Sequence, residues 1–465
     1  MAVEEAIKYR QIQVPEAFTS IDAQGRRYGG DIRIGDLTGD GRVDFIVYQC
    51  LGGLKPSFLG AFDLDGQPLW SIGDRNMSVE NADEDAEGDG QLHTISPDRP
   101  GPVVIADIDG DGHTEVLCFF IDEGVRRTSK WDLADVRLLL LDGRTGQIKA
   151  QSAPEALRAC DAYVDGEIQI SNYVHQRLMV ADLGTHPGPA KDVVVKVGAT
   201  LVAFDHQLKV LWTYDNPWNH YPKHSAYIPS VGDLDGDGLD EVVGGHFGLD
   251  HDGSVLWARY LGDNMDSVLI EPWTDDAAGQ QQAILSAGGQ ILDAGGQSLL
   301  ELGMEAVPHG QEVRCGYYHG QSEGRELVIR YNGHHTDLMV VGHDGRIRTR
   351  FQVDESPNNT GLETIHWRGP DHGPGEADLI FTPSALWDGE GRRAVSFPDL
   401  PPPAGGKMGW YHCFPADVCG DVREEVLLYD PYQDLVHIYT AAPLDESLFT
   451  GYRHTSRQYN TRLID

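Results

Sequence analysis

The sequence predicts an all-β chain, folded as a single β-propeller of eight four-stranded antiparallel blades over residues 1–465. Three observations carry that expectation: a strand, Asp/Gly turn, strand unit that recurs along the chain, a second hairpin after most copies, and few helical patterns between them.

The recurring unit is clearest at Ile32–Val47 (IRIGDLTGDGRVDFIV), Val103–Phe119 (VVIADIDGDGHTEVLCF) and Ile228–Gly244 (IPSVGDLDGDGLDEVVG). Weaker copies lie at Leu178–Val197, Ser267–Ala287, Glu312–Arg330, Leu362–Thr382 and Tyr411–Tyr429, which makes eight in all. The second hairpins run Gly60–Trp70, Leu138–Ile148, Leu201–Trp212, Leu249–Trp257, Ile291–Leu299, Leu338–Ile347 and Ala385–Val395, each an apolar run, an Asp-Gly type turn and another run. Two hairpins make a four-stranded sheet, and sheets repeated every 40–75 residues or so mark a propeller. Seven blades is the alternative, because Ser267–Ala287 is degenerate. Separate β-sandwiches would need linkers, and Pro398–Gly406 reads as a loop inside the last spacing. The long spacings at Ser71–Pro102 and Asp122–Tyr173 add loops, one of them very acidic at Glu80–Asp89.

With 36 Lys+Arg against 73 Asp+Glu the net charge is −37, while 40% of residues are hydrophobic. That apolar share supports a folded core, and the acid excess speaks against nucleic acid and anionic membrane as partners, since both select clustered Lys and Arg. No stretch approaches the length of an apolar membrane span, and the start MAVEEAIKYR has no signal-peptide pattern. The expected location is extracellular if Met1 is not native to the mature chain, and cytoplasmic otherwise; a monomer is expected. The six cysteines lack metal-ligand spacing and read mostly as buried thiols, with Cys413 and Cys419 close enough for a local bridge. Asn76-Met77-Ser78 and Asn358-Asn359-Thr360 are sequons.

Two turns carry a metal-binding pattern. Asp107, Asp109, Asp111 and Glu115 follow D-x-D-G-D-G-x-x-E, and Asp233, Asp235, Asp237 and Glu241 repeat it. Alternate carboxylates on a chain curled by glycine direct several oxygens at one hard cation, so Ca²⁺ is the expected cofactor. Asp36, Asp40 and Asp44 form a thinner version. The alternative is that the aspartates only bond local amides. In either case the role is structural, since these turns leave the far end of the inner strands.

The residues just before each inner strand, with the loops to the third strands, crowd the channel mouth of a propeller. They include His93, His175, Arg177, His220, His224, Tyr227, Asp266, His309, Glu312, Arg314, Asn359, Glu363, Tyr411 and His412, and, on third-strand loops, His246, Asn332, His334 and His335. His, Arg and Tyr around one pocket suit removal of a proton α to a carboxylate. An Arg neutralises the carboxylate as charge grows on it, a His or Tyr takes the proton, and a second acid protonates the departing oxygen. The candidate site is therefore His93, Arg177, His224, Tyr227, His309, Arg314 and His412, with Arg177 and Arg314 as neutralisers and His93, His224 and His309 as the pool of base and acid. No nucleophile elbow, phosphate loop or H-E-x-x-H competes.

The segment Asp417–Thr440 (DVCGDVREEVLLYDPYQDLVHIYT) resembles the last blade of the β-propeller rhamnogalacturonan lyases, with Val422 where that family has Trp. The run from Pro229 to Gly245 and the pair His309-Gly310 also have counterparts there, and Tyr452–Ile464 a partial one. In its compactness and turn grammar the chain is more similar to the L-rhamnose-α-1,4-D-glucuronate lyases. That resemblance implies β-elimination at a glucuronate, calcium in the propeller and a pocket for terminal rhamnose. The expected substrate is thus a uronic-acid-containing glycan with rhamnose, cut by an exo-lyase or by an endo-acting rhamnogalacturonan lyase. Two other readings remain: a non-catalytic calcium-binding adhesion propeller, and a glycoside hydrolase using Glu312 and Glu363 across a cleft of about 5–9 Å.

Overall fold

The computed structural model describes residues 3–21, 27–28, 31–50, 56–73, 102–120, 136–158, 163–164, 167–168, 176–274, 279–320, 323–333, 335–353, 361–369, 377–403, 411–431, 433–456 and 459. The insertion Glu80–Asp89, both sequons, His93, His175, His334, Asn359 and Cys160 lie outside them.

Among the described residues, eight sheets of four or more strands follow one another along the chain, numbered here as blades 1 to 8. Their inner strands are Asp31–Gly35, Val103–Ala106, Gln176–Ala181, Ser230–Gly232, Val268–Pro272, Glu312–Gly316, Glu363–Ile365 and His412–Ala416. Neighbouring inner strands touch in that order. The degenerate copy at Ser267–Ala287 forms a full blade 5, completed by Gln290–Leu292 and Ser298–Glu301, so eight holds over seven.

Burial explains why the middle strands read as unbroken apolar runs while the outer ones alternate. Glu115–Phe120 (EVLCFF) is buried on both faces: Val116, Cys118 and Phe120 pack with Ile46, Tyr48 and Leu59 of blade 1, and Leu117 and Phe119 with Val180, Val195 and Phe204 of blade 3. Each blade therefore buries its two faces on two neighbours, and the core lies between blades rather than inside any one. The outer strand Val210–Asp215 alternates half-buried and exposed, as an edge does.

Outer-strand tryptophans clamp the next blade. Trp70 of blade 1 lies over Gly146 of blade 2 and donates its indole N–H to the Gly143 carbonyl at 2.7 Å. Trp212 of blade 3 repeats this on Gly253 of blade 4, donating to the His251 carbonyl at 3.0 Å. A β-carbon at either glycine would strike the indole, and both have positive φ (67° and 84°), so the Asp-Gly turns are also packing surfaces.

The repeat pattern alone leaves blade 8 one strand short. The N-terminal strand Ile7–Gln13 supplies it, pairing antiparallel with Leu435–Thr440, and Ile12 and Val14 join Ile32, Phe45, Phe414 and Ile438 in the closing core. Glu4–Glu5 adds a short parallel strand to blade 7.

Candidate active site

Because the inner strands start at the channel mouth, the charged residues at their first positions are carried to it by the fold. Blade 5 brings Asp266, blade 6 His309, Glu312 and Arg314, blade 7 Glu363, blade 8 His412, blade 1 Asp31 and Arg33, and blade 3 Arg177. The loop before blade 4 brings His224 and Tyr227.

Asp266 stands between two histidines. His309 places Nε2 2.9 Å from one Asp266 oxygen, and His224 places Nε2 3.7 Å from the other. His224 also donates from Nδ1 to the Ser225 carbonyl at 3.0 Å and stacks face to face on Tyr227, with ring centres 3.9 Å apart and planes 5° from parallel. Access separates the pair: the His309 side chain is 25% exposed and that of His224 1%. With Nε2–H donated to Asp266, the bare nitrogen of neutral His309 is Nδ1. Gly333 lies beside it, and a β-carbon there would come within 2.8 Å of Nδ1.

The inner and second strands also carry arginines: Arg177, Arg314 and Arg330 are buried, and Arg33 is half-buried. Arg314 makes a two-pronged bond to Glu363, both contacts 2.9 Å. Burial alone would lower its basicity, but the Glu363 carboxylate outweighs this and raises it. Arg330 is tied to Glu312 at 2.8 Å. Arg33 bonds Asp31 at 2.6 Å and lies over the Tyr48 ring. Arg177 is pushed down to about 9, first by burial and then by repulsion from Arg33 and Arg314, with Glu363 pulling the other way. An incoming carboxylate would relieve that repulsion.

His412 is buried and bonds Asp31 across the seam between blades 8 and 1 at 2.9 Å, so it sits in a ring-closing network with Arg33 and Tyr48. Sequence reading passed over Arg33. Its signal was present in Asp31–Gly35 (DIRIG), where charges alternate with isoleucine on an inner strand that tolerates buried charge only when it is paired. Asp266 was read as a rim residue without a role. Its contact with His309 joins residues 43 positions apart.

The candidate metal turns lie at the opposite ends of the inner strands. Asp107, Asp109 and Glu115 bring ligand atoms together, as do Asp233, Asp235 and Glu241. Asp111 and Asp237 instead accept the amides of His113 and Leu239, both at 2.8 Å. In the thinner blade 1 turn Asp36 accepts the amides of Gly39, Asp40 and Gly41, and Asp44 those of Leu37 and Thr38, which is the local-bonding alternative. Burial pushes Glu241 up to about 7, and raises Glu115 despite Lys149 beside it. Cys413 and Cys419 are both buried thiols, and the local bridge does not form.

No family model matches the chain. It is 24% identical to the rhamnogalacturonan exolyase YesX of Bacillus subtilis, over 95% of this chain and 76% of that protein. It is also 24% identical to the rhamnogalacturonan endolyase YesW of the same organism, over 55% of this chain and 44% of that protein. Among solved structures, the rhamnogalacturonan lyase of Bacillus licheniformis superposes with a TM-score of 0.67 at 18% identity, covering 97% of this chain and 78% of that one. YesW gives 0.66 at 18%, covering 93% and 75%. At such identity the superpositions speak for the fold, and the sequence match to YesX extends the likeness along the chain. In sequence this chain is similar to the rhamnogalacturonan exolyase YesX along most of its length, and in fold it is similar to solved rhamnogalacturonan lyases.

Proposed function

We propose that the protein is a polysaccharide lyase acting by β-elimination at a uronic acid, as an exo-enzyme that releases terminal L-rhamnose from rhamnosyl-α-1,4-glucuronate. The observation that carries the chemistry is His309, a quarter exposed and bonded through Nε2 to the buried Asp266. In this scheme Arg177 neutralises the uronate carboxylate and His309 Nδ1 takes the C5 proton. The electron pair forms the C4=C5 double bond as the C4–O bond breaks, and the departing oxygen takes a proton from Tyr227. Asp266 fixes the His309 tautomer and stabilises its cation. Arg314, already bound on two sides by Glu363, supplies background positive charge.

Exo action is supported by the relative matched along nearly the whole chain, which is an exolyase. A net charge of −37 also disfavours a long polyanion lying across the surface, while a short capped end can reach one basic pocket. Endo action on rhamnogalacturonan is the second reading, favoured by the likeness to YesW. The hydrolase alternative loses its carboxylate pair, because Glu312 is bonded to Arg330 and Glu363 to Arg314. Calcium belongs to the same proposal, as a structural ion held by acidic-turn carboxylates away from the chemistry, and so do an extracellular setting and a monomeric chain.

The test is incubation with a gum-arabic-type rhamnosyl-glucuronate glycan and, separately, with rhamnogalacturonan. Free rhamnose with an ultraviolet-absorbing unsaturated uronate from the first supports the exo reading. Mixed unsaturated oligomers from the second support endo action, and absorbance from neither refutes both.

A further inference from the structure

The turns of blades 2 and 4 are alike in sequence and nearly bond for bond alike in structure. Glu115 Oε2 accepts the amides of Ile108 (2.9 Å) and Asp109 (3.3 Å); Glu241 Oε2 accepts those of Leu234 (2.7 Å) and Asp235 (3.3 Å). Asp107 and Asp233 each bond two glycine amides of their own turn. The turns differ at the second glutamate oxygen. Glu115 Oε1 receives Lys149 Nζ at 2.7 Å, and the same ammonium contacts Asp109 and, at 3.4 Å, Asp111. A lysine cation thus stands among the very oxygens that would ligate a metal.

Other blades also satisfy this oxygen internally. Asp192 of blade 3 takes Thr185 Oγ1 at 2.6 Å, and Glu326 of blade 6 takes His319 Nδ1 at 2.9 Å. In blade 4, Glu241 is fully buried and its Oε1 has no partner among the described residues. The register explains why. Ile148 pairs with Leu141 and Val255 with Leu249, each just past a bulge, so Leu256 occupies the place of Lys149. In addition, Asp250 and His251 place ligand atoms close to Glu241, on the side away from Asp233 and Asp235 in sequence. Blade 4 therefore gathers carboxylates around a buried, unsatisfied oxygen without the internal cation that blade 2 has, and such a group is costly unless something positive completes it.

We propose that the two turns are neutralised by different cations: the blade 4 turn binds a divalent ion of calcium's class through Asp233, Asp235 and Glu241, whereas the blade 2 turn is closed by the Lys149 ammonium and takes no metal. This deepens the calcium part of the proposed function and is independent of the lyase chemistry, since neither turn lines the channel mouth.

The test uses the full chain, stripped with chelator and titrated with Ca²⁺ by calorimetry, with thermal unfolding in parallel. Relative to the unsubstituted chain, Glu241→Gln is expected to bind one ion fewer and to lose calcium-dependent thermal stabilisation. Glu115→Gln is expected to bind the same number, and Lys149→Leu one more. If Glu115→Gln does not fold, Asp109→Asn reads the same count. Loss of one ion from both the Glu115→Gln and Glu241→Gln variants, or a folded Lys149→Leu variant that gains none, would overturn the asymmetry while leaving calcium binding intact. A starting chain that binds no calcium would overturn the metal reading itself.

Discussion

His309 combines two properties that no other described histidine of the candidate site shares: a carboxylate 2.9 Å from Nε2 and a partly exposed ring. Each has its own expected outcome. His309→Ala should lower kcat by roughly 10²–10⁴-fold with unfolding unchanged. Asp266→Asn should lower it by a similar factor and alter the pH-rate profile, because it leaves the ring in place but upsets its tautomer. Gly333→Ala should cut activity by crowding the His309 ring, since a β-carbon there would come within 2.8 Å of Nδ1; because Gly333 has a φ of 57°, thermal unfolding must accompany the assay to separate crowding from backbone strain. Full activity in both the His309→Ala and Asp266→Asn variants would remove this pair from the chemistry. At this scale the sequence was only partly legible. The rim search found His224, Tyr227, His309, Arg177 and Arg314, since each sits at or just before an inner strand. It did not reveal that His412 is bound into the seam with Asp31, or that Asp266 joins two histidines, because those partners are set by which blades are neighbours. His93 lies outside the described residues.

Among the elements, the Asp/Gly turns and the alternating outer strands were readable because their chemistry is local: a positive-φ glycine, an aspartate beside amides, a tryptophan at a fixed offset. The strand Ile7–Gln13 was not, because its partner lies more than 400 residues away in sequence and only ring closure pairs them. That closure should be costly to weaken. Ile12, 4% exposed in the closing core, is expected to cost about 2–4 kcal/mol on substitution by Ala, measured by denaturant unfolding. A loss comparable to that of an exposed residue would mean that the N-terminal strand does not close the ring. Lys149 teaches the same lesson in the turns: D-x-D-G-D-G-x-x-E is visible in the sequence twice, but the cation that answers one copy comes from a strand 34 residues beyond Glu115.

For the whole molecule, the net charge is −37, and the arginines carried by the inner and second strands are mostly answered by neighbouring carboxylates. Two buried groups give opposite pH signatures. Burial first, then Lys8, push His437 down to about 4 from its ordinary value near 6.5. The unfolded chain therefore takes up that proton first, and the contribution of neutral His437 is present above about 6.5 and lost as pH falls towards 4. Burial pushes Asp44 up to about 6, so its contribution is present below the ordinary carboxylate value and lost as pH rises through 6. Compared with the unsubstituted chain, His437→Gln should lose less stability on acidification, and Asp44→Asn should lose less as pH rises through 6, each read from unfolding midpoints across pH. Parallel curves for either variant would show that the group is not buried as described.

β-Elimination and hydrolysis differ in one countable atom group, and this gives the most direct test of the central claim. Mass spectrometry of the products from a defined rhamnosyl-glucuronate oligosaccharide should show free rhamnose and an unsaturated uronate whose masses sum to that of the substrate. Products heavier in sum by one water, with a saturated uronate, would contradict a lyase.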